Sequence, residues 1–96
     1  MNESNTEWHI YLIRTRLNSL YCGITNDLEH RLQMHKNGKG AKYLRGKGPL
    51  SLVWSCSVES KSLALKYEYR IKKMTKASKE ALVNQTMNLP RLENQS

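Results

Sequence analysis

Five side chains of this sequence stand where a purely structural chain would place something else: Tyr11, Tyr21, Arg31, His35 and Glu68. The tyrosines lie ten positions apart, mid-way along two segments that read as strands. Arg31 precedes His35 by one helical turn. Glu68 is the one acid in a stretch that also holds Lys66, Arg70, Lys72 and Lys73. Each has an ordinary explanation when taken alone. Strand tyrosines are often half-buried, and a helix arginine or histidine is usually solvated or packed. Glu68 could pair with Lys72 at i, i+4, a contact worth only a few tenths of a kcal/mol. As a set they offer a candidate base, a cation and a carboxylate, in a chain whose charge favours anionic partners.

The charge supports that direction. Sixteen Lys+Arg against eight Asp+Glu give a formal net charge of +8. An excess of that size in a short chain favours phosphate backbones or anionic surfaces. Six basic residues fall within 31–47 and seven within 61–79. Residues 37–49 interleave four glycines with four basic residues and contain no acid, a composition that lets backbone N–H groups meet phosphate. Lys36, Lys39, Lys42, Arg45 and Lys47, with Lys72 and Lys73 farther on, are the candidate nucleic-acid contacts. No P-loop, GxSxG, HExxH or CxxC motif occurs.

The elements that must position these groups are legible. Trp8–Arg14 is aromatic and β-branched and reads as a strand, with Trp8, Ile10 and Leu12 on one face and His9, Tyr11 and Ile13 on the other. Asn18 and Ser19 supply a turn, and 20–25 returns as an antiparallel partner that brings Tyr21 beside Tyr11. Gly23 within that strand signals close approach of another backbone or a ligand. Asn26 or Asp27 caps a helix over 27–37 whose inward stripe is Leu28, Leu32 and His35. Gly38 ends it, and a loop with a short turn at 41–44 follows. Residues 50–58 read as a third, well-buried strand. Ser60 and Thr75 cap helices reaching about 73 and 85, the first with the apolar stripe Leu63, Tyr67, Ile71 and Met74. The order ββαβαα describes an α/β (α+β) domain over 8–85, a small three-stranded antiparallel sheet flanked by helices. Residues 1–7 and 86–96 read as polar, flexible tails.

Ninety-six residues suit one domain. No apolar run approaches the roughly 20 residues that span a bilayer, and the polar start MNESNTEW is unlike a signal peptide. Cys22 and Cys56 read as two buried free thiols, without a disulfide, in a reducing cytoplasm. Trp8 and Trp54 read as core.

The ordered set His9-Ile10-Tyr11, Tyr21-Cys22-Gly23-Ile24, Arg31 and Glu68 resembles the GIY-YIG nucleases across residues 8–80. The continuation 25–35, then Gly38-Lys-Gly-Ala-Lys42 and Leu44-Arg-Gly-Lys47, is similar to the small stand-alone bacterial members. The resemblance implies metal-assisted hydrolysis of a phosphodiester: an endonuclease or DNA-processing protein, as in repair, working in the cytoplasm on nucleic acid and above all DNA, with no small-molecule cofactor. It implies one Mg²⁺ or Mn²⁺ at Glu68, Arg31 compensating charge on phosphoryl oxygens, and Tyr11, Tyr21 or His35 handling the proton of the attacking water. His9, Cys22 and Ile24 depart from the family pattern, Ile24 standing where many larger members carry a lysine. Asn84 is a loose counterpart of an asparagine some members carry after the glutamate. The length leaves no room for an appended DNA-binding domain, so contacts to the backbone or to structured and damaged DNA are expected rather than a long recognition site. The alternative from another class is a non-catalytic nucleic-acid-binding module with the nuclease fold.

Overall fold

A computed structural model describes residues 7–89 of the chain. Three strands, β1 (Trp8–Arg14), β2 (Leu20–Thr25) and β3 (Ser51–Val58), form one antiparallel sheet in the order β2-β1-β3. Helix α1 (Leu28–Lys36) follows β2, a single 3-10 turn spans Lys42–Leu44, and helices α2 (Lys61–Lys72) and α3 (Lys76–Val83) follow β3. The three-stranded α+β order expected from the sequence is the order found.

β1 is the centre of the molecule. Ile10, Leu12 and Ile13 are 0% exposed and Tyr11 is 2% exposed. Four consecutive buried residues on a strand require a cover on both faces of the sheet. One face packs Ile10, Leu12 and Cys22 against Ala64 and Ile71 of α2 and Leu82 of α3. On the other, Tyr11 and Ile13 pack against Leu44 and Leu50, with Tyr21, Leu28 and Leu32 half-buried around them. Burying side chains of this size stabilises by about 1.5–3 kcal/mol each, before chain entropy opposes it. The second face is the one that carries the tyrosines.

The helix starts follow the capping chemistry in the sequence. Of the two candidates for α1, Asp27 is the cap, accepting from the His30 N–H at 3.2 Å. Ser60 accepts from Leu63 N–H and Thr75 from Ser78 N–H. Gly38, at φ +74, lets the chain leave α1 in the left-handed region. Asn18 takes the same region at φ 65 in the β1–β2 turn.

The third strand departs from its expected burial. β3 lies at a sheet edge, none of its residues is fully buried, and Leu52 is 36% exposed. Its apolar run reflects one covered face and an irregular register opposite Leu12/Ile13, not a central position. For the same reason Cys56 is half-buried while Cys22 is buried; both thiols are free. Trp8 and Trp54 pack half-buried against the core. Residues 86–89 begin the stretch expected to be a tail, and Met87 and Leu89 lie against that core. The tail expectations for 1–6 and 90–96 lie outside the described residues. No helix among the described residues is long and apolar enough to cross a membrane.

Candidate active site

Tyr11 projects from the central strand, and its register partner on β2 is Gly23. A Cβ at Gly23 would stand 2.5 Å from the Tyr11 Oη and 2.6 Å from Cζ. Glycine is therefore required here because the phenol lies across it. The close approach that Gly23 signals is a side chain, rather than a backbone or ligand.

His35, 2% exposed at the end of α1, meets that phenol with Nε2 2.8 Å from Oη. The other ring nitrogen, Nδ1, accepts the Ala41 N–H at 3.1 Å. An amide N–H can only donate, so Nδ1 is unprotonated and the neutral ring carries its hydrogen on Nε2. His35 then donates to the Tyr11 oxygen. Burial and the Arg31 charge both hold the imidazole below its ordinary pKa, which keeps it neutral. Gly40 completes this arrangement, since a Cβ there would run into the His35 ring. The 38–42 segment thus wraps His35: Gly40 gives it room and Ala41 fixes its tautomer.

Burial pushes the Tyr11 phenol up to about 12, while the Arg31 guanidinium beside it pulls the other way through a hydrogen bond and its charge. Tyr21 pairs with Ile13, so it lies diagonal to Tyr11, with ring centroids 6.5 Å apart. The Tyr21 ring meets His35 edge-on at 5.8 Å. Burial raises the Tyr21 pKa too, with Lys72 opposing, Glu68 reinforcing and Arg31 opposing. Glu68 and Lys72 also act on Cys22, whose pKa burial lifts to about 12. Tyr21 and Cys22 point to opposite faces of β2, so the two α2 charges stand beside that edge strand. Four of the five expected residues, Tyr11, Tyr21, Arg31 and His35, make one cluster, and Glu68 borders it beyond Tyr21.

The Glu68 side chain is 19% exposed and pairs with Lys72 Nζ at 3.2 Å. Among the described residues no group of three or more His, Cys, Asp and Glu could hold a metal ion. A closed zinc site is therefore unsupported by these donors. One accessible carboxylate does fit Mg²⁺ or Mn²⁺, ions that keep several waters and share substrate phosphate.

Lys36, Lys39, Lys42 and Arg45 are exposed and make no ion pair among the described residues. A cleft of about 370 Å³ runs between Lys36, Gly38, Gly46 and Gly48 and reaches His35. Lys47 is half-buried with its ammonium 3.4 Å from the Tyr43 ring centroid. Lys73 is separate from this group, its ammonium over Tyr69 on the exposed side of α2. Asn84 caps the end of α3 and its Oδ1 accepts from Thr86. Tyr43 was not legible as a site residue. It stacks on Tyr21 at 5.9 Å, and only the fold brings residues 21 and 43 together.

Residues 7–81 match the GIY-YIG catalytic domain family. The chain is 55% identical over 89 residues to a UPF0213 protein of Vibrio campbellii, covering 93% of this chain and 86% of that one. It is 60% identical over 78 residues to the UPF0213 protein YhbQ of Escherichia coli K12, covering 81% and 78%. Its fold is similar to the solution NMR structure of a UPF0213 protein from Bacillus halodurans, with TM-score 0.55 and 38% identity over 82% of this chain and 84% of that one.

Proposed function

Because this chain belongs to the GIY-YIG catalytic-domain family, we propose that it is a metal-dependent endonuclease hydrolysing phosphodiester bonds in structured or damaged DNA. The observation that carries the reading is the Tyr11–His35–Ala41 chain of hydrogen bonds beside Arg31. It aims one donor and one cation at a single phenol oxygen, the arrangement that stabilises a phenolate.

Water attacks the phosphorus and forms the new P–O bond as the bond to the leaving oxygen breaks. Tyr11 first loses its own proton to solvent; the proton of the attacking water then passes to the phenolate oxygen, and the leaving oxygen takes a proton from solvent. Arg31 compensates the charge that builds on the phosphoryl oxygens. Both ring nitrogens of His35 are engaged, so its part is to orient Tyr11 rather than to accept the proton itself. Tyr21, itself half-buried, lies beside the Tyr11 ring with centroids 6.5 Å apart. At a pKa of about 12, roughly one Tyr11 in 10⁵ is ionised at neutral pH, so the phenol alone is a poor base. A Mg²⁺ or Mn²⁺ ion held by Glu68, once Lys72 gives way, would supply the Lewis acidity that lowers the pKa of nearby oxygens. Lys36, Lys39, Lys42, Arg45 and Lys47 contact the backbone on one side of the cluster, with Lys72 on the other.

The test incubates branched, nicked and single-stranded DNA with the protein in Mg²⁺ or Mn²⁺, beside Glu68→Ala and Arg31→Ala. Cleavage by the wild type and loss of at least 10²-fold in both variants is expected. Cleavage that survives both substitutions overturns the assignment. Salt-sensitive binding without cleavage by any form identifies a nucleic-acid-binding module instead.

A further inference from the structure

We infer that Tyr43 is a stacking platform for an unpaired nucleobase, seating one single-stranded or extruded nucleotide on the ring face that Lys47 now covers. The inference rests on the phosphodiesterase reading and narrows its substrate. Tyr43 lies in the turn Lys42–Leu44 and is 46% exposed. Exposed loop tyrosines ordinarily turn freely, but this ring is held from three directions. It stacks on Tyr21 with an interplanar angle of 18°. Its hydroxyl donates to Ser19 Oγ at 3.1 Å, tying it to the β1–β2 turn. Lys47 covers the ring with its ammonium. A flat ring already immobilised loses little freedom when a ligand stacks on it.

The Lys47 cover is removable. Its ammonium has no carboxylate partner among the described residues and is held by the ring alone. A strand phosphate can draw Lys47 aside and leave the face to a base. Stacking of a base on an aromatic ring, about 1–3 kcal/mol, is of the same order as the cation–π contact it replaces, and the strand phosphate gives the displaced Lys47 a new partner. The flanking Lys42 and Arg45 are exposed, and no acid occurs in residues 36–50 to repel the backbone. A base within a duplex has both faces already stacked, which restricts this site to unpaired nucleotides. Because Tyr21 stacks on the other face of Tyr43, the base so held would lie one ring away from Tyr21, and its flanking phosphates would be the ones to reach the reacting cluster.

The experiment uses the full chain in EDTA with a single-stranded oligonucleotide carrying 2-aminopurine, and with the duplex of the same sequence. Anisotropy reads affinity and 2-aminopurine quenching reads stacking. The wild type should bind the single strand more tightly than the duplex and quench the probe. Tyr43→Ala should weaken single-strand binding by about 5- to 150-fold and abolish quenching, with duplex binding unchanged. Tyr43→Phe should retain both signals, because stacking needs the ring and not the hydroxyl. Lys47→Ala should keep the quench and lower the salt slope by about one, a result that also serves if Tyr43→Ala fails to fold. Equal binding of both forms by the wild type, equal losses for both forms in Tyr43→Ala, or a quench that survives in it overturns the assignment. No metal and no cleavage enter this assay, so its failure leaves the hydrolysis reading standing. Intact stacking in a protein that cuts nothing would sink hydrolysis alone.

Discussion

Gly23→Ala is the smallest change that reaches the centre of the site. Gly23 does not sit in the left-handed region, so alanine is compatible with its backbone. The whole cost must then come from the space its methyl enters. That methyl would lie 2.5 Å from Tyr11 Oη and 2.6 Å from Cζ, well inside contact distance. The tip of a flexible side chain could yield cheaply, but Tyr11 is 2% exposed and bonded to His35 at 2.8 Å. Relief requires the phenol to move against His35, or β2 to move off β1. Overpacking of this kind costs about 1–3 kcal/mol, or roughly 5–20 °C of melting temperature in a domain this size. Loss of the Tyr11–His35 bond adds about 1 kcal/mol within that range. The assay is a double-mutant cycle by thermal or urea denaturation, comparing Gly23→Ala in the wild type and in Tyr11→Leu. The penalty should largely vanish once the phenol is gone. An equal penalty in both backgrounds would refute the claim that glycine is there to house the Tyr11 ring.

Other expectations follow from the same contacts. His35 has its pKa depressed below 6.5, so its stabilisation is complete above 6.5 and is lost as pH falls from 6.5 through the folded-state value; melting temperature should drop with acid across that window, and His35→Asn should flatten this limb. Arg14 and Lys76 hold the Glu80 carboxyl down at about 2, so its contribution is present above 4.5 and fades as pH falls toward 2. At neutral pH, denaturation of Glu80→Gln should show a loss of about 0.5–1.5 kcal/mol, modest because both partners of the Arg14 pair are partly exposed. Lys72→Ala removes the ammonium that competes for Glu68, and a Mn²⁺ titration of cleavage should shift to about 2- to 5-fold lower concentration.

Much of this site could be read along the chain because it is local. β1 and β2 are joined by a short turn, so the Tyr11–Tyr21 pairing is fixed once the hairpin is recognised. The spacing of Arg31 and His35 puts both on α1, and Asp27, Ser60 and Thr75 announce the helix starts. What stayed hidden depends on contacts between distant segments. Tyr43 meets Tyr21 only after the 37–49 loop folds back over the sheet. Gly40 carries no sign of its purpose until the His35 ring fills the space beside it. Strand order was equally invisible. An uncharged apolar run such as 50–58 suits a central strand or a half-covered edge, and only pairing distinguishes them. Asn84, a residue type suited to a site, lies at the end of α3 with its Oδ1 accepting from Thr86.

The central claim is that the Tyr11 oxygen, held by His35 and Arg31, takes the proton in phosphodiester hydrolysis. Single-turnover cleavage as a function of pH tests it most directly, with wild type and Tyr11→Phe in saturating Mg²⁺ or Mn²⁺. The wild-type rate should rise about tenfold per pH unit until the phenol ionises. Tyr11→Phe should lose about 10²- to 10⁴-fold and its pH dependence with it, while binding the same DNA. Cleavage by Tyr11→Phe within a few-fold of wild type, with the same pH profile, would contradict the account.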